Sequence, residues 1–94
     1  MATMAQKRVE VNYSGRVQGV GFRFTAERFA NDYGIRGFVR NLYDGRVGLV
    51  AEGEEQKLKD FLEALRFNLD NFIEHYSQSW FDPTGEFKNF TIRF

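Results

Sequence analysis

Three glycines and two arginines fall within the nine residues Gly15-Arg16-Val17-Gln18-Gly19-Val20-Gly21-Phe22-Arg23. They stand where a strand pattern gives way to a helix pattern. Val9, Val11 and Tyr13 alternate with Arg8, Glu10 and Asn12, the period of a half-buried strand. Phe22, Ala26, Phe29, Ala30 and Tyr33 then recur on one face of a helix. A helix start normally carries Ser, Thr, Asp or Asn as its cap and acidic residues in its first turn. This one has neither, and places Arg23 at the positive end of the helix dipole. Glycine backbone can turn several N–H groups toward one point, and a guanidinium adds a planar fork of donors. Together they suit a phosphate or carboxylate held by amides, helix N-terminus and arginine. Glycines at such a junction also serve chain geometry alone, and a first-turn arginine can project into solvent, so the pattern by itself leaves both readings open. Named motifs do not separate them. No Gly-Lys-Ser/Thr follows as in a Walker loop, and Phe24 stands in place of the third glycine of a dinucleotide fingerprint.

The elements that must position this stretch follow from the rest of the pattern. Gly34 ends the first helix, and a second strand is expected over 35–42. Tyr43-Asp44-Gly45-Arg46 reads as a hairpin turn built on Asp-Gly, followed by a third strand over 47–52. Glu54 and Glu55 suit the first turn of a second helix whose buried stripe is Leu58, Phe61, Leu62 and Leu65. A fourth strand is expected over 72–81, a turn at Asp82-Pro83-Thr84-Gly85, and a terminal strand over 87–94. This order predicts an α+β fold, a ferredoxin-like β-α-β-β-α-β sandwich. It is an open, mostly antiparallel sheet with two helices on one face and an extra C-terminal edge strand. In that split arrangement the first two strands run parallel with the third between them. Both end at the same edge of the sheet, which brings the glycine loop near Asn41.

Composition narrows the classes. Ninety-four residues suffice for one small domain with its own core, to which eleven phenylalanines contribute. Residues 1–6 are expected to be a flexible N-terminal segment and 7–94 a single domain. The chain has no cysteine, which excludes disulfides, thiolate zinc sites and a cysteine nucleophile and fits a reducing compartment. No signal-peptide core or membrane-length apolar run is present, so a cytoplasmic protein is expected. The sequons Asn12-Tyr13-Ser14 and Asn89-Phe90-Thr91 fall within predicted strands and read as chance matches. Thirteen basic residues balance thirteen acidic ones, which argues against a polyanion-binding surface and leaves one small phosphate open.

With Gly15 to Arg23 joined to Gly37-Phe38-Val39-Arg40-Asn41, and with Asp44-Gly45, Glu52-Gly53 and Thr84-Gly85-Glu86-Phe87 in register, the chain resembles the acylphosphatases over nearly its whole length. The resemblance implies metal-independent hydrolysis of small acyl phosphates to a carboxylate and inorganic phosphate. No cofactor, nucleic-acid partner or membrane partner is expected, and a monomer is expected although the sequence does not determine the oligomeric state. By that resemblance Arg23 binds the phosphoryl group together with the backbone amides of Gln18, Gly19, Val20, Gly21 and Phe22, and Asn41 positions the attacking water. The chemistry agrees with this. An acyl phosphate is already activated, its leaving carboxylate needs no strong general acid, and phosphoryl transfer depends mainly on positioning and charge stabilisation.

Other residues read as background. His75 is the only histidine, lies in the predicted fourth strand away from both motifs, and reads as structural or exposed. The acids from Glu52 to Glu63 read as a solvated helix face, and Arg16, Gln18, Arg40 and Arg46 as exposed loop or strand-end residues. The stretch Phe67 to Phe72 departs from the family pattern, as do Tyr76 and Gln78 where apolar residues are expected and Tyr43 where proline is frequent. An RNA-binding module shares the element order, yet Val39, Arg40 and Asn41 break its signature and the charge is neutral. A phosphate-binding domain without turnover is a further alternative. Because the terminal strand should lie beside the second, the carboxylate of Phe94 is a candidate partner for Arg23, the alternative being a frayed, solvated C-terminus.

Overall fold

The computed structural model describes residues 5–94. The elements are β1 (Gln6–Gly15), α1 (Phe22–Tyr33), β2 (Arg36–Asn41), β3 (Val47–Glu54), α2 (Glu55–Asn68), β4 (Ile73–Phe81) and β5 (Phe90–Arg93). β1 starts inside the segment expected to be flexible, and the Ala5 carbonyl accepts the Glu55 N–H at 2.9 Å. Residues 1–4 of that segment lie outside the described residues.

The five strands form one sheet in the order β4-β1-β3-β2-β5, antiparallel except for the parallel pair β2 and β5. β3 thus lies between parallel β1 and β2, as the split arrangement requires. One face carries the core. Val9, Val11 and Tyr13 of β1 stand opposite Ala51, Leu49 and Val47 of β3, and all are buried. Ala26 and Ala30 of α1 and Leu58, Phe61, Leu62 and Leu65 of α2 close over them, with Phe29 and Tyr33 half-buried at the margin. The alternation in β1 sets which side of the strand meets the helices, because successive side chains point to opposite faces.

The other face is crossed by the connection from β4 to β5, residues 82–89, which must pass from one edge of the sheet to the other. It is an irregular strap rather than the expected turn, with Gly85 at φ 76°. Glu52 fastens it. Its carboxylate accepts the N–H and hydroxyl of Thr84, both at 2.9 Å, and the N–H of Gly85 at 3.0 Å. Arg8, paired with Glu52 in register, donates to the same carboxylate at 3.0 Å, and Phe87 packs edge-on against Phe38 at 5.9 Å.

β4 is the least covered element, with Ile73 half-buried and the rest exposed. Tyr76, Gln78 and Trp80 pair with Tyr13, Val11 and Val9 on the helix side of the sheet. They nevertheless remain exposed because an edge strand receives cover from one neighbour only. Polar Gln78 and the hydroxyl of Tyr76 therefore fit positions that the alternation alone marks as apolar.

Candidate active site

The loop between β1 and α1 is pinned at three points. At its start the Tyr13 ring lies 4.9 Å from that of Phe22, tying the end of β1 to the first residue of α1. Burial pushes the Tyr13 phenol well above its usual pKa, so this ring stays neutral at physiological pH. Within the loop Val17 is fully buried. The Gln18 side-chain amide then donates to the carbonyls of Leu42 at 2.8 Å and Arg46 at 2.9 Å, bridging the loop to the β2–β3 hairpin. Gln18 is therefore a connector rather than a loose surface residue. Its type and position carried no signal of this, since both acceptors are backbone atoms far along the chain.

The glycines divide into two kinds. Gly19 and Gly21 each hold φ 78° with no atom near the position of a missing Cβ, so they are required for backbone conformation alone. At Gly15 a Cβ would lie 2.6 Å from the Phe72 carbonyl, at the bulge where β1 shifts register against β4. Gly15 therefore belongs to the sheet, unlike the two glycines that follow it. Gly21 is the N-cap of α1 in the left-handed conformation, with no side-chain cap and no acid in the first turn.

The hairpin that follows β2 is closed by the Leu42 N–H to the Arg46 carbonyl at 2.8 Å. Asp44 accepts the Arg46 N–H at 3.1 Å and its guanidinium at 2.7 Å, which holds the Asp44 carboxyl below its ordinary pKa. Asn41, the last residue of β2, stands opposite Val47 and so shares the helix-side face of the sheet.

A cavity of about 250 Å³ opens where these parts meet, lined by Val17, Gly19, Gly21, Phe22, Arg23, Phe24 and Asn41. Arg23 and Asn41, eighteen positions apart in the chain, thus face one space. Val20 packs against the core instead, and Gln18 is committed to the hairpin. Arg23 donates to the Arg93 carbonyl at 3.5 Å, and its guanidinium lies 4.7 Å from the centroid of the Phe94 ring. The candidate ion pair with the Phe94 carboxylate is not formed among the described residues. The parallel pairing of β5 with β2 delivers Arg93 and Phe94 beside Arg23, but a carbonyl and a ring meet the guanidinium.

Two further expectations change. Glu52 is a fully buried strand residue and not part of a solvated helix face. Burial pushes its pKa up, but the Thr84 and Gly85 amides, Arg8 and the Thr84 hydroxyl outweigh that and lower it to about 2. His75 is exposed and lines none of this cavity, yet its carbonyl accepts the Ser14 hydroxyl at 3.4 Å, so its backbone runs beside the first motif rather than far from it.

The model of the family described as Acylphosphatase matches residues 9–92. The chain belongs to the acylphosphatase family. It is 35% identical over 88 residues to an acylphosphatase of Caldanaerobacter subterraneus subsp. tengcongensis, covering 93% of this chain and 98% of the relative. It is 40% identical over 90 residues to one of Roseiflexus sp., covering 95% and 97% of the two chains. The crystal structure of acylphosphatase from Bacillus subtilis superposes with a TM-score of 0.84 at 31% identity, over 94% of this chain and 99% of that one. The protein is an enzyme of this family and hydrolyses acyl phosphates. These matches favour neither an RNA-binding module nor a phosphate binder without turnover.

Proposed function

We propose that the cavity shared by Arg23 and Asn41 is where that hydrolysis occurs, and the convergence of these two side chains on one space supports the reading. The phosphoryl group is held by the backbone N–H groups of the loop from Gln18 to Phe22 and by the Arg23 guanidinium. These donors neutralise charge on the non-bridging oxygens. The Asn41 side chain holds a water in line with the bond to the acyl oxygen. Water oxygen bonds to phosphorus, the bond from phosphorus to the acyl oxygen breaks, and the leaving group departs as a carboxylate. The water's proton passes to a phosphate oxygen, so no separate base and no metal is required. The enzyme works as a cytoplasmic monomer on free small acyl phosphates.

The test is release of phosphate from benzoyl phosphate in excess EDTA. Turnover is expected, and turnover that appears only when a divalent cation is restored would overturn the mechanism. Asn41→Ala should lower kcat by about 10²-fold or more while inorganic phosphate still inhibits with its original affinity. If that affinity falls in parallel, Asn41 binds rather than positions.

A further inference from the structure

The loop that offers its amides to the phosphoryl group and the residue that holds the water belong to different parts of the fold. Residues 16–21 link β1 to α1, whereas Asn41 ends β2 and runs directly into the hairpin 42–46. That hairpin projects from the body of the protein, with Tyr43, Asp44, Gly45 and Arg46 all exposed. Among the described residues, the hydrogen bonds that join 16–21 to 42–46 are the two made by the Gln18 side chain, and no backbone pair adds to them.

The two acceptors leave little choice of side chain. The Arg46 carbonyl already accepts the Leu42 N–H at 2.8 Å, and the Leu42 carbonyl accepts the Gly45 N–H at 3.2 Å, so each oxygen commits one lone pair to closing the hairpin. Gln18 Nε2 occupies the other lone pair of both, at 2.9 and 2.8 Å. A primary amide carries two protons on one planar nitrogen, and here each is directed at a different carbonyl. Asn is one methylene short, Glu would set oxygen against two carbonyl oxygens, and Met has the length without a donor. Leu42 follows Asn41 by a single peptide bond. By holding the Leu42 carbonyl, Gln18 therefore also fixes the backbone from which Asn41 reaches the cavity.

We propose that Gln18 is a positioning residue for the hydrolysis: through these two carbonyls its side chain sets where Asn41, and the water Asn41 holds, stand relative to the phosphoryl group. This rests on the reacting space being the one lined by Arg23 and Asn41. In-line attack tolerates little displacement, and a misplacement of about 1 Å costs about 10²-fold in rate. The Gln18 side chain does not line the cavity and acts only through its neighbours. The loop and Arg23 have anchors of their own in buried Val17 and in the contact between Tyr13 and Phe22. Loss of the Gln18 amide therefore loosens the geometry of attack and leaves phosphate binding in place.

The experiment uses Gln18→Met, which keeps the length and removes both donors, with benzoyl phosphate as substrate at a temperature where circular dichroism shows every form folded. Its kcat should fall by about 10- to 10²-fold while the Ki of inorganic phosphate stays within about threefold of wild type. The deciding measurement is the same substitution in the Asn41→Ala background, where no side chain holds the water. There Gln18→Met should lower kcat by less than about twofold further, because what Gln18 positions is already gone. A role confined to the integrity of the loop would give the same loss in both backgrounds. That result, or a phosphate Ki that rises in step with the loss of kcat, would overturn the proposal. Gln18→Asn keeps the amide without the reach, should repeat the pattern, and takes the place of Gln18→Met if that variant does not fold. Wild-type kcat in either variant would remove the positioning role and leave the site intact. If Asn41→Ala alone leaves kcat unaltered, the reading of the site itself fails.

Discussion

The two ends of β1 are built from the same materials and do opposite things. Near its start, backbone amides and a guanidinium surround an anion that the chain itself supplies. The buried Glu52 carboxylate takes the N–H groups of Thr84 and Gly85 and the side chain of Arg8. Beyond its end, glycine-rich backbone and a guanidinium again face one space. Yet no acid occurs between Gly15 and Arg23, and Arg23 meets only a carbonyl at 3.5 Å and an aromatic ring. Buried and saturated, the first arrangement locks a strap across the sheet. Open and short of negative charge, the second is suited to a ligand. What separates the two here is whether the chain itself supplies the anion.

The largest effect expected from this contrast is at Arg23. Arg23→Ala should lower kcat/KM for acyl phosphates by about 10³-fold and abolish inhibition by phosphate. The melting temperature should stay within a few degrees, because the wild-type contacts of Arg23 are weak. Arg23→Lys should recover little, since a point charge lacks the planar fork. A loss of stability matching that at Glu52 would dissolve the distinction.

Glu52→Ala should show the reverse. Removing one partner of a buried ion pair that also caps two amides should cost about 3 kcal/mol, or more than about 12 °C in Tm for a domain of this size. At temperatures where the variant is folded, KM should remain within about twofold of wild type. A selective loss of turnover would mean that the strap also governs the site.

Acid should reach the same clasp without mutation. The folded pKa of Glu52 is lowered to about 2 from 4.5, so its contribution is present above the unfolded value and is lost as pH falls through the folded one. Wild-type stability should therefore decline by about 3 kcal/mol across this window, as read by urea denaturation at successive pH values. In Glu52→Ala this acid step should be much reduced.

The smallest effect is at Gly19. Because a Cβ there meets nothing, Gly19→Ala imposes only the strain of a left-handed backbone, about 1 kcal/mol, seen as a drop in Tm of roughly 4–8 °C. Phosphate affinity should fall with it as the loop amides turn aside. Unchanged affinity would remove Gly19 from the cradle.

What could be read from the chain was local. Alternation in β1, the helical stripes of α1 and α2 and the Asp-Gly turn report dihedral preference and one-sided burial, which neighbouring residues fix among themselves. The uncapped start of α1 with Arg23 in its first turn is also a local statement, and it marked the candidate site. Asn41 acquired its role through the family resemblance and its place through the expected parallel ends of β1 and β2.

Tertiary structure decided whatever depends on atoms distant in sequence. Gly15 looks like Gly19 and Gly21 on paper, yet it is claimed by the approach of Phe72. Glu52 sits among acids that face water, and only the strap arriving thirty-two residues later makes its burial tolerable. Gln18 spans to two carbonyls of another hairpin. Phe94 reaches Arg23 with its ring and not its carboxylate, because the register of β5 on β2 sets which atoms arrive. A sequence fixes the donors and acceptors each residue carries, but which of them meet depends on the packing of sheet and helices, and that packing closes the space around Glu52 and leaves the one beside Arg23 open.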